Sequence, residues 1–530
     1  MTVVHREVER TYAAADDASL PALAGLVAAA GPAGVDPSTP HTESSSTLRL
    51  AATYFDTADL RLARAGLTLR RRTGGDDAGW HLKVPVGSDA RTEVRLPLGR
   101  AVRTVPAGLR ALVRARTGGA VLRPVADVVT ERRAHLLVDA SGRVLLEVAD
   151  DRVTAHRIAP ADGSGDAVGP SVSWREVEVE VVDGPEELLA AADRALQDAG
   201  LRPAEGQSKL ARVLGTRPAP ERQDAAPRLT RSSPAGDVLR EHLAQEVERV
   251  VAQDLSVRLG LPDAVHQMRV ATRRLRSALR TFAPLLDGDV PGELRGELRR
   301  LARELGAARD AEVLRDRVGA ADGTGHLPAG GVPGGVRGGV PGGVPDELEA
   351  DRRAAYDRVL AELDGDRYHR LLVALGELVA SPPLSARAAL PARRALPLLV
   401  ARRDARVRRL LKRARRTPAG PERDRVLHEA RKAAKAARYA AEAVRPALGK
   451  QAAAYARAME SVQEVLGEHQ DAVITRERLR ELARRTTSTD AAFRYGRLHA
   501  LEEARAIQAQ QRIRPAWKAA RGRELRRWLR

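Results

Sequence analysis

HREVERTYAA, residues 5–14, places Glu7, Glu9 and Thr11 two residues apart, with Val8, Arg10 and Tyr12 between them. Residues two apart in a strand share a face, so the stretch predicts a β-strand with two carboxylates side by side. Like charges so placed repel. Either that face is solvated or something positive lies against it. The same period of two returns in TLRLAATYFDT (47–57), GLTLRRRT (66–73), GWHLKVP (79–85), RTEVRLPL (91–98), RVLLEVADDRVTAHRI (143–158) and WREVEVEVV (174–182). Many short strands separated by turn residues predict an antiparallel barrel or sandwich over residues 1–215. One helix, PEELLAAADRALQDAG (185–200), follows the last long strand.

Residues 216–230, TRPAPERQDAAPRLT, are proline-rich, polar and aperiodic, and predict a linker. Beyond them, residues 231–530 are Ala, Leu, Arg and Glu at helical spacing. The exception is a Gly/Pro repeat, AGGVPGGVRGGVPGGVP (329–345), expected to be a disordered insertion over 321–346. The helical part repeats itself. HQMRVATRRLR and HEARKAAKAARY share H-x2-R-x3-(R/K)-x2-R, giving His266, Arg269, Arg273 and Arg276, then His428, Arg431, Lys435 and Arg438. LGAARD ends at Asp310 and LGEHQD at Asp471, 44 and 43 residues beyond the respective histidines. Two features in register imply a duplicated helical bundle with approximate two-fold symmetry.

Charge divides the same way. Residues 1–220 hold 28 Lys+Arg and 29 Asp+Glu, and residues 221–530 hold 61 and 41. The excess positive charge therefore lies in the helical part and points to a polyanion. The cationic offsets place each set on one helix face, and Arg402, Arg406, Arg409, Arg413 and Arg416 form a third stripe. Guanidinium and ammonium groups suit phosphate oxygens. Each histidine either donates to phosphate or orders its helix start. Aromatics are 3% of the chain, so stacking platforms for nucleic-acid bases are few. No cysteine occurs, which excludes disulfides and thiolate chemistry. No apolar run approaches the roughly 20 residues of a membrane span. A charged N-terminus without an apolar core predicts no signal peptide, and a cytoplasmic location is expected.

The duplicated His/Arg helices resemble the CHAD domain, a helical family that binds inorganic polyphosphate. The resemblance implies polyphosphate contacts at His266, Arg269, Arg273, Arg276, His428, Arg431, Lys432, Lys435 and Arg438, and association with polyphosphate granules. The N-terminal part resembles the CYTH domain, the triphosphate tunnel metalloenzymes. Their fold is an eight-stranded antiparallel β-barrel with a polar interior and a signature E-x-E-x-K. Here Glu7 and Glu9 are kept and Thr11 replaces the lysine. The resemblance implies Mg²⁺ or Mn²⁺ held by Glu7, Glu9, Glu176 and Glu178. It places phosphate on Arg70, Arg72, Lys83, Arg91, Arg133 and Lys209, and catalysis on Glu7, Glu9 and Lys83. Glu93, Glu147 and Glu180 also match. The implied activity is metal-dependent hydrolysis of triphosphate or short polyphosphate. A non-catalytic polyphosphate-binding protein is the alternative, and nucleic-acid binding a weaker one.

Overall fold

The computed structural model describes residues 3–22, 42–85, 90–99, 103–158, 168–204, 208–215, 228–323 and 346–529. The Gly/Pro repeat and most of the expected linker lie outside these residues. The chain forms two compact units, Met1–Ala226 and Pro227–Arg530.

The first unit is one nine-stranded antiparallel sheet. Its strands are β1 (Val3–Ala14), β2 (Thr42–Asp56), β3 (Thr68–Thr73), β4 (Gly79–Pro85), β5 (Ala90–Pro97), β6 (Arg123–Val138), β7 (Val144–Ile158), β8 (Val168–Val181) and β9 (Arg202–Pro203). They are ordered β5-β4-β3-β2-β6-β7-β8-β1-β9, with a further β5–β1 pairing. The expected closed eight-stranded barrel is thereby corrected. β1 is shared by halves: Val3–Val8 pair with β5 and Glu9–Ala14 with β8. No described residue of β1 pairs with both β5 and β8, whereas Tyr12 and Ala13 pair with β8 on one side and the two-residue β9 on the other.

Side-chain alternation decides what each face does. Val177 and Val179 are fully buried beneath α3 (Glu186–Asp198), packed with Val148, Leu188, Ala192 and Leu196. Their neighbours Glu176, Glu178 and Glu180 line a cavity on the other face. A one-residue slip would bury the acids and expose the valines. Each buried valine or leucine contributes about 1.5–3 kcal/mol. α1 (Arg61–Arg64) and α2 (Ala107–Thr117) precede α3. α4 (Lys209–Leu214) is capped by Ser208, whose hydroxyl accepts from Ala211 N at 3.2 Å. Gly215, at φ 62°, ends it in the left-handed region. Leu210, Val213 and Leu214 bury its apolar side against Val128, Val153 and Ala155.

The second unit is all helical. Its helices are α5 (Ala235–Arg258), α6 (Ala264–Thr281), α7 (Val290–Gly323), α8 (Asp346–Asp364), α9 (Asp366–Ala380), α10 (Ala392–Arg416), α11 (Pro421–Leu448), α12 (Lys450–Arg485), α13 (Thr489–Ala520) and α14 (Arg523–Arg526). The duplication is visible where α5 and α10 begin. Ala235 N donates to Leu390 O at 2.9 Å, and Ala392 N donates to Ser233 O at 2.8 Å. One contiguous core joins the repeats, from Leu243, Leu275 and Leu298 to Val407, Val444 and Tyr455. Ala430, Ala433, Ala434 and Ala437 bury one side of α11, because small, strongly helix-forming residues allow close approach. Among the described residues no helix is long and apolar enough to cross a membrane.

Candidate functional site

The polar face of the sheet encloses a cavity of about 720 Å³. Glu9, Thr11, Arg70, Arg72, Lys83 and Arg91 line it, as do Arg132, Glu176, Glu178 and Lys209. Register explains the gathering of acids. Glu9 lies opposite Glu180 and Thr11 opposite Glu178, while Glu176 lies opposite Asp151 on β7. Asp151, Glu176 and Glu178 each offer a carboxylate oxygen within 4.8 Å of the others. Oxygen-only donors at this spacing suit a hard divalent cation.

In the structure Lys209, the first residue of α4, lies among them. Its Nζ is 3.0 Å from Asp151, 2.7 Å from Glu176 and 2.6 Å from Glu178. Burial alone would lower this lysine, but the Glu178, Asp151 and Glu176 charges hold it well above its usual range. Burial likewise pushes Glu178 up, and Lys209 and Arg132 override it, leaving Glu178 well below the usual carboxylate range. Glu176 Oε2 accepts from Trp174 Nε1 at 2.6 Å, whereas Oε1 contacts Lys209 without an aligned hydrogen bond. Three carboxylate oxygens so spaced could hold a divalent metal, and in this structure the Lys209 ammonium supplies the neutralising charge among them. Arg132 adds a fork, donating to both oxygens of Asp151 at 2.7 Å and to Glu178 at 2.5 Å.

Among the described residues the acid cluster that could hold a metal is Asp151, Glu176 and Glu178, and Glu9 stands apart from it. Glu9 pairs instead with Arg91 at 3.0 Å and Lys83 at 3.5 Å. The side chain of Glu7 lies outside the described residues; its backbone pairs with Arg91. Arg133 is corrected: it is exposed and Arg132 faces the cavity. Asp151 went unrecognised in the sequence, although it shares parity with Glu147 on the same strand. Arg70 and Arg72 both line the cavity, each with a buried Nε that has no hydrogen-bond partner. Burial, then Arg70 and Arg132, push Arg72 down to about 9. His81, fully buried, is 2.9 Å from Glu93 through Nδ1 and 2.9 Å from Asp77 O through Nε2, and burial pushes it down to about 4.

In the helical unit the two His/Arg stripes converge. Lys435 on α11 is lowered to about 7 by burial and by Arg273, Arg431, Arg269 and Arg438. α6 and α11 pack against each other, so the charges of both stripes reach Lys435. The repeat is equally exact in its supports. Arg269 pairs with Asp310 at 3.7 Å and Arg431 with Asp471 at 3.8 Å. Each arginine lies over the glycine of its LG pair: a Cβ would be 3.8 Å from Arg269 on Gly306 and 3.3 Å from Arg431 on Gly467. His266 and His428 each bury an Nδ1 without a partner. Arg273 and Arg276 have no acidic partner among the described residues. Arg438 is drawn to Glu460 and Glu442 and stacks on Tyr439. Lys432 is exposed and pairs with Glu429 at 2.9 Å.

The CYTH domain profile matches residues 35–213 and the CHAD domain profile residues 241–480. Two Mycobacterium tuberculosis proteins, the uncharacterized proteins MT2285 and Rv2226, are each 37% identical over 509 residues, covering 94% of this chain and 93% of theirs. The chain belongs to the family in which a CYTH domain precedes a CHAD domain. A solved CHAD domain from the plant Ricinus communis is 27% identical, covering 56% of this chain and 95% of that one, with a TM-score of 0.42. The CYTH match begins after β1, yet β1 supplies Glu9 and Thr11 to the cavity.

Proposed function

We propose that the CYTH unit is a metal-dependent triphosphatase acting on inorganic triphosphate or short polyphosphate, and that the CHAD unit binds polyphosphate. The observation that carries the first reading is a cavity with an arginine-rich wall, lined by Glu176 and Glu178 of a three-carboxylate cluster whose third member, Asp151, is buried behind them. Asp151, Glu176 and Glu178 would hold Mg²⁺ or Mn²⁺. When bound, the ion supplies charge neutralisation for the phosphoryl group being transferred. Arg70, Arg72, Lys83 and Arg91 orient the phosphates, with Arg132 in the place expected for Arg133. Glu9, held between Arg91 and Lys83, is placed to position a water on the same wall. The CHAD reading is supported by the two cationic stripes on packed helices and by Arg273 and Arg276, which have no acidic partner among the described residues. Such a protein would work in the cytoplasm, near stored polyphosphate.

Phosphate release from tripolyphosphate with Mg²⁺ or Mn²⁺ tests the enzyme. Turnover that disappears in Asp151→Asn and Glu9→Gln supports it. A binding-only protein is the second reading, favoured by Lys209 among the acids and by Thr11 in place of a lysine. Tight tripolyphosphate binding without turnover under either metal would establish that reading instead.

A further inference from the structure

α10 is charged out of proportion to its duplicate. In its 25 residues it carries ten arginines and one lysine against the single acid Asp404. α5, the helix that begins at the matching place in the first repeat, carries three arginines against five acids. Duplication therefore does not account for the basic stripe. Arg402, Arg406, Arg409, Arg413 and Arg416 follow one face, opposite the buried Val400, Val407 and Leu411. The carbonyl end of a helix favours cations in its last turn, which covers Arg413 and Arg416 but none of the earlier three. Cations stacked at this spacing repel one another. Nearby acids do little to relieve this: Glu429 is shared by Arg406 and Lys432, and Glu422 by Arg413 and Arg425. Arg402, Arg409 and Arg416 are exposed and have no acidic partner among the described residues.

The stripe is continuous with the duplicated site. Arg403 Nε donates to Thr281 Oγ1 at 3.0 Å, and its Nη2 donates to Arg280 O at 2.6 Å. α10 is thereby fastened to the end of α6, one turn past Arg276. Burial and the charges of Arg280, Arg406 and Arg402 lower Arg403 to about 10. At the other side Glu429, one residue from His428, brings Arg406 to the head of the α11 stripe. From Arg402 to Arg416 the helix adds about 21 Å of cationic surface.

We propose that α10 is an extension of the polyanion site, and that it makes the CHAD unit prefer long phosphate chains over short ones. This rests on the polyphosphate reading of the unit given above. A short chain fills the His/Arg stripes of α6 and α11. A longer one continues past Arg280 and Arg403 onto α10, so its extra phosphates bind at high effective concentration. α10 contains no aromatic residue, which favours an anion without bases.

The test is binding of narrow length classes, about ten and about a hundred phosphates, to the full-length protein at matched salt and equal phosphate concentration. The wild type should bind the longer class at least about tenfold more tightly. Arg402→Gln/Arg409→Gln/Arg416→Gln should lose that preference and bind the longer class with a shallower salt dependence, while keeping short-chain affinity. Glutamine keeps the helix propensity. A control with the same charge loss elsewhere, Arg494→Gln/Arg497→Gln/Arg523→Gln, should behave as wild type. The proposal is overturned if the triple variant keeps the preference or if the control loses it equally. It is also overturned if a charge-matched RNA duplex outcompetes the long chain. If the wild type binds neither length, the polyphosphate reading itself fails, an outcome distinct from binding without length preference.

Discussion

Lys209 is the residue on which the cavity of the CYTH unit turns. Its ammonium is mostly buried and neutralises three carboxylates that would otherwise repel. Removing one partner of a buried ion cluster costs about 3–5 kcal/mol, so Lys209→Met should melt well below wild type in metal-free buffer. A divalent cation can replace the lost charge, and Mg²⁺ or Mn²⁺ should raise the melting temperature of Lys209→Met more than that of wild type. Equal shifts in a thermal-melt series would remove the trio as a metal site. Lys435 carries a second residue-scale prediction. Its folded pKa, about 7, lies below the ordinary 10.5. Below pH 7 both states hold the proton and the folded state bears the full repulsion. Between about 7 and 10.5 the unfolded chain keeps a proton that the folded chain has released, so stability rises with pH across that window. An anion restores the charge, so polyphosphate affinity should fall as pH rises above about 7. Lys435→Arg should flatten that profile in titrations, and an unchanged slope would separate Lys435 from the anion.

At the scale of elements, strand parity and helix repeat were legible in the sequence to different depths. The stripes on α6 and α11 needed only offsets along one helix, and His266, Arg269, Arg273, His428, Arg431 and Lys435 fall where those offsets put them. Strand faces needed a phase as well. TERRAHL offers Arg132 and Arg133, and VADDRV offers Asp150 and Asp151. Alternation says that each pair divides between faces but not which member goes inward. Cross-strand pairing settles it: Arg132 lies opposite Asp151, and Asp150 turns outward to bind Arg175 at 2.8 Å. The nine-stranded arrangement was beyond the sequence because it depends on β1 dividing its pairing between β5 and β8 and on the two-residue β9 beside it. The LG pairs, by contrast, were visible as a repeat before their purpose was. Gly467 leaves room for Arg431, so Gly467→Leu should push that guanidinium away from Asp471. Leucine is a better helix former by about 0.6–0.8 kcal/mol. The variant should thus keep its melting temperature within a few degrees and lose polyphosphate affinity severalfold. Retained affinity in a binding titration would show that Arg431 is not a ligand.

For the whole molecule, charge is partitioned by unit: 28 bases and 29 acids in residues 1–220, against 61 and 41 in residues 221–530. A nearly neutral unit with an internal cationic wall suits a small anion that is processed and released. A strongly basic unit suits a long anion that is held. On the proposed function, joining the two in one chain would raise the effective concentration of phosphate ends near the first unit for any polyphosphate that both engage. That gain exists only for substrates long enough to occupy both. Weakening the CHAD stripes with Arg273→Ala/Lys435→Ala should therefore raise KM for long polyphosphate by about tenfold or more. It should leave kcat unchanged and leave tripolyphosphate kinetics untouched. Asp151→Asn should do the reverse, abolishing kcat on every length while long-chain binding persists. Steady-state kinetics across a series of chain lengths distinguishes the two patterns. If the double variant affects tripolyphosphate and long chains alike, the units do not cooperate through a shared substrate.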